Sequence, residues 1–65
     1  MRVEYHQETD IMTITFRDAK VKESDELRSG VILDFGFDDQ VVGMEILNAS
    51  KVVEKTREIN FAIAS

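Results

Sequence analysis

Sixty-five residues with eight Lys and Arg, thirteen Asp and Glu, one histidine and no cysteine describe one small acidic domain over residues 1–65, without disulfides or thiolate metal sites. The net charge of −5 disfavours nucleic acid as a partner, because affinity for phosphate backbones comes from clustered Lys and Arg. No apolar run approaches the roughly 20 residues that cross a bilayer, and the first ten residues lack the apolar core of a signal peptide, so the expectation is a cytoplasmic protein that does not enter membranes.

The chain opens with a short extended segment, residues 2–5, that puts Val3 and Tyr5 on one side. Residues 6–10 are polar and turn-like. Residues 11–16 then alternate, with Met12, Ile14 and Phe16 on one face and Thr13 and Thr15 on the other, which is the period of a half-buried strand. Asp18 marks a turn. Residues 20–28 hold only Val21 and Leu27 as large apolar side chains among many charges, as suits a short or edge strand. Ser29 and Gly30 turn the chain into residues 31–35, where Val31, Leu33 and Phe35 alternate with Ile32 and Asp34. Gly36, Asp38 and Asp39 supply hairpin-loop chemistry. Residues 41–47 return with Val42, Met44 and Ile46 on one face. Loops this short join antiparallel neighbours, since a parallel crossover needs a dozen residues or more.

After residue 47 the period changes. Asn48 or Ser50 can cap a helix, and Val52, Val53, Thr56 and Ile59 fall at helical spacing. The tail alternates again at Ile59, Phe61 and Ile63, as a final strand or as the helix continued. The fold class read from this pattern is α+β: an antiparallel meander of four to five strands followed by one C-terminal helix, with an extra terminal strand open. Met12, Ile14, Phe16, Val31, Leu33, Phe35, Met44 and Ile46 are the expected core.

Candidate chemistry is sparse. Asp34, Phe35 and Gly36 spell the magnesium triplet of kinases, but no Gly-rich loop, strand lysine or catalytic loop accompanies them. Asp34, Asp38, Asp39 and Glu45 are oxygen ligands in principle, yet their spacing does not fit an EF-hand loop, and paired Asp at a hairpin tip is ordinary turn chemistry. His6 with Glu4 or Glu8 is a conceivable acid–base pair, but no nucleophile site surrounds it. Ser24, Ser29 and Ser50 lack a base. The expectation is therefore a non-enzyme that needs no cofactor or metal.

The motif Gly30-Val31-Ile32-Leu33-Asp34, followed by Val42-Gly43-Met44-Glu45-Ile46-Leu47-Asn48-Ala49-Ser50, resembles the YuzE-like family of small bacterial proteins of unknown function. Tyr5, Glu8, Asp10 and the strand at 11–16 match in the same order, so the resemblance covers roughly residues 1–51. Asp is commoner than Asn at position 48 in that family. The resemblance implies a small antiparallel sheet followed by a helix, and no activity, cofactor or catalytic residue. It also implies an occasional setting beside small genes of toxin–antitoxin type.

A 65-residue domain buries only about 60% of its unfolded surface, and without disulfide or metal, self-association is the remaining compensation. The expected function is a binding and assembly module that forms a homodimer, with Val52, Ile59, Phe61 and Ile63 as candidate interface residues. The alternative is an antitoxin-like acidic regulator of a basic partner protein. It rests on residues 23–45, where seven carboxylates face Arg28 alone.

Overall fold

The computed structural model describes residues 1–53 of the chain. Five strands form one sheet: β1 (Arg2–His6), β2 (Ile11–Thr15), β3 (Val21–Arg28), β4 (Val31–Gly36) and β5 (Val41–Leu47), followed by a single 3-10 turn at Ala49–Lys51. The order across the sheet is β1-β2-β5-β4-β3, and every neighbouring pair is antiparallel. Only strands β3, β4 and β5 make a meander, not the four to five strands expected. The hairpin of β1 and β2 then adds to the free side of β5, so residues 16–20 must cross the ends of β5 and β4 to reach the far edge.

Turn chemistry explains where the strands end. Asp10, Asp39 and Asn48 all adopt positive φ, at 56°, 65° and 53°, a region that Asp and Asn tolerate better than other side chains. They close the β1–β2 turn, the β4–β5 turn and the end of β5. Gly30, at φ 84°, makes the two-residue turn between β3 and β4. Gly43 serves a different need: a Cβ there would lie 2.7 Å from the carbonyl oxygen of Ile14, so only glycine lets β5 approach β2 this closely.

The register confirms the period-two reading. Val3 pairs with Ile14, Ile14 with Met44, and Met44 with Leu33. One row along, Tyr5, Met12, Ile46 and Val31 pair in the same way. Paired residues of antiparallel strands point to the same side, so these side chains share an apolar face. Val3, Met12 and Ala49 are its buried centre, with Tyr5, Ile14, Ile46 and Val53 packed against them.

Two expectations need correction. The fold over the described residues is nearly all β rather than α+β: the helix expected after Asn48 is replaced by one 3-10 turn. Asn48 is left-handed and its side chain makes no capping bond, whereas a helix N-cap sits in the extended region. Ser50 spends its hydroxyl on Asp10 instead. The β-branched pair Val52 and Val53 adds little helical propensity. Residues 54–65, and with them the readings of Ile59, Phe61 and Ile63, lie outside the described residues.

The second correction concerns the depth of the core. Of the eight expected core residues only Met12 is fully buried, at 1% exposure. Ile14, Val31, Leu33, Phe35, Met44 and Ile46 are half-buried, and Phe16 is exposed. Their face was read correctly. Among the described residues, however, only the turn at 48–53 is laid over it, and a sheet face needs a second layer to bury it fully.

Candidate functional site

Three local arrangements account for most of the polar chemistry. The first fastens the turn at 49–51 to the β1–β2 turn. Asp10 accepts a hydrogen bond from the Tyr5 hydroxyl at 2.7 Å, from the Ser50 backbone N–H at 2.9 Å and from the Ser50 hydroxyl at 2.7 Å. Its own carbonyl accepts from the Ala49 N–H at 2.9 Å. The Tyr5 hydrogen bond, then those from Ser50, hold the Asp10 carboxyl below its ordinary value of 3.8, because each bond favours the charged form. This lock seats Ala49 in the core. Nothing local in the sequence announces it, since Asp10 and Ser50 are forty residues apart.

The second arrangement holds the crossing segment. The Phe16 N–H donates to the Val42 carbonyl at 2.8 Å, Arg17 Nη2 to Asp38 Oδ1 at 2.5 Å, and Lys22 Nζ to Asp39 Oδ1 at 3.3 Å. Asp38 also accepts from the Gln40 N–H at 3.1 Å. The Arg17 hydrogen bond, followed by that from Gln40, lowers its pKa from 3.8. Gly36 lies underneath: a Cβ there would stand 2.9 Å from Val42 Cγ2 and 3.2 Å from Arg17 Nη2.

The third is the polar face of the sheet. Glu4, Thr13, Glu45, Ile32 and Glu26 follow one another across a single register row. Asp34 lies in the adjacent row, opposite Gly43, and accepts from the Ser24 hydroxyl at 2.6 Å. Arg2 pairs with Glu4 at 3.0 Å.

These placements settle where the sequence candidates stand. Asp38 and Asp39 sit in the hairpin and each holds a cation, whereas Asp34 and Glu45 lie on the sheet itself. The four carboxylates do not form one cluster, and among the described residues no group of three or more His, Asp or Glu is arranged to hold a metal. His6 ends β1 and is exposed, as is Glu8. Val52, the one candidate interface residue among the described ones, is 66% exposed.

What remains is apolar surface. Phe16, Val21, Phe37 and Val41 are all exposed. Register places them together: Val21 pairs with Gly36, Phe35 with Val41, and Phe16 bonds to Val42. They surround the end of the sheet where the crossing segment meets the β4–β5 turn. Sequence reading placed Phe16 in the core and Phe37 in a loop, and so missed that the crossover brings them to one end.

Over the described residues the chain is an antiparallel sheet with one apolar face, one face that carries Glu4, Glu26, Asp34 and Glu45, and one end with exposed apolar side chains. The chain belongs to the family of proteins of unknown function DUF2283, whose model matches residues 2–50. That span takes in all five strands and the Asp10–Ser50 lock. No curated protein and no solved structure matches the chain. No helix among the described residues is long and apolar enough to cross a membrane.

Proposed function

We propose that this protein is a non-catalytic binding module of the cytoplasm, of YuzE-like type within its family, that works through protein–protein contacts and assembles with a second copy of itself. The observation that carries the reading is the shortage of buried apolar surface. Val3, Met12, Val42 and Ala49 are the buried hydrophobic residues of the described chain, while seven large hydrophobic residues are exposed. Scattered apolar surface is normal, but contiguous patches mark interaction sites. Assembly also stabilises a native state by mass action, which a chain without cysteine has reason to use. Thermal melts over a hundredfold range of protein concentration test this reading. A midpoint that rises with concentration supports it, and one that does not move counts against it.

A second reading follows from the polar face. Glu4, Glu26, Asp34 and Glu45 share it with Arg2 as counter-charge, so it suits a basic partner protein of the kind an antitoxin-like regulator would neutralise. Capture of a basic protein from the native host, lost on raising the salt and lost with Glu45→Lys, supports this reading. Capture that ignores both counts against it.

A further inference from the structure

Resting on the self-assembly proposed above, we infer that two copies meet through the end of the sheet formed by the crossing segment and the β4–β5 turn. Phe37 is 71% exposed, Val21 50%, Phe16 42% and Val41 37%, and Phe35 beside them is half-buried. A fully exposed aromatic side chain presents about 150–250 Å², so together they show on the order of 400 Å² of apolar surface. That lies within the range of the largest patches on monomers. It is about half of the roughly 800 Å² per partner in a standard interface. The polar rim of the same end supplies the remainder, which puts the contact at the small end of specific interfaces.

Charge distribution selects a second copy as the occupant. Around this end stand Arg2, Arg17, Lys20 and Lys22 against Asp18, Glu23, Asp38 and Asp39, four side chains of each sign and no net charge among them. The chain carries −5 overall, so that excess sits elsewhere, on the polar face, on β3 and near the opposite end. Two acidic chains can therefore bring these ends together while their net charge stays apart. A basic partner would be drawn to the other surfaces. Across a two-fold axis Arg17 and Lys22 of one copy can also face Asp38 and Asp39 of the other, which closes the contact and leaves no open surface to propagate.

Alternative edges are less suited. β3 is charged along its length, and its pairing with β4 shifts register twice, features that discourage strand-to-strand addition.

The test uses the full chain in two arms. In the first, sedimentation velocity compares the parent with Phe37→Glu, Val21→Glu and the control Leu27→Ser, which removes an apolar side chain 61% exposed at the far end of β3. The expected result is at least tenfold weaker association for Phe37→Glu and Val21→Glu and no change for Leu27→Ser. In the second, the cysteine-free background allows Phe37→Cys and Leu27→Cys to be oxidised side by side. The expected result is an interchain disulfide that forms faster at 37, and this arm decides if a charged variant fails to fold. Self-association that survives both charged variants, with cross-linking no faster at 37 than at 27, overturns the placement while leaving self-assembly intact. A parent that is monomeric throughout overturns both.

Discussion

Replacing Gly43 by alanine tests how the two halves of the sheet are joined. The added Cβ would stand 2.7 Å from the Ile14 carbonyl oxygen, so β2 and β5 must separate by about 0.5 Å or more to restore an ordinary contact. The opposing group is backbone within the ladder that pairs Thr15 with Gly43 and Ile14 with Met44, and cannot swing aside as a side chain could. Overpacking of this kind costs about 1–3 kcal/mol, and the lower entropy of the unfolded chain returns about 0.4–1 kcal/mol. The net loss is about 1–2 kcal/mol, against a total of roughly 3–10 kcal/mol for a domain of this length. At about 4–8 °C per kcal/mol, the melting midpoint should fall by roughly 5–15 °C. Circular dichroism at one fixed protein concentration measures it, since assembly itself shifts the midpoint. An unchanged or raised midpoint would refute the close approach of β2 and β5.

Met12→Ala removes the most deeply buried large side chain and should cost about 2–5 kcal/mol in urea unfolding; a loss below about 0.5 kcal/mol would contradict the placement of the core. Gly30→Ala puts a side chain at φ 84° and should destabilise by about 1–2 kcal/mol, read in the same assay, with a neutral effect arguing against the turn. Asp10 and Asp38 have folded pKa values below 3.8. They therefore add stability that is complete above 3.8 and is lost as pH falls through their lowered values. Melts across the acid range should show this decline, and Asp10→Asn should diminish it; an identical acid profile for that variant would contradict the lock between Tyr5, Asp10 and Ser50.

The strands were legible because their period reports which side of a pleat is wet. Met12 and Ile14 against Thr13 and Thr15, and Val31 and Leu33 against Ile32 and Asp34, fixed the faces correctly. Charge on residues 20–28 marked β3 as an edge, although it is eight residues long rather than short. The strand order was less accessible, because residues 16–20 cross two strands, and the ion pairs that hold them join residues 17 and 21 positions apart. Among the described residues, the place where the helix was expected to start is a 3-10 turn for a tertiary reason. Asn48 and Ser50 have capping chemistry, but Asp10 claims Ser50 and the left-handed Asn48 turns the chain into the core. The same kind of non-local event created the apolar end, where Phe16, bonded through its N–H to Val42, is exposed as Phe37 is.

Sedimentation equilibrium of the full-length chain from low to high micromolar concentration addresses self-assembly most directly. The average mass should climb from 7.4 kDa toward twice that value and fit a reversible monomer–dimer equilibrium. A single 7.4 kDa species at every concentration would contradict it.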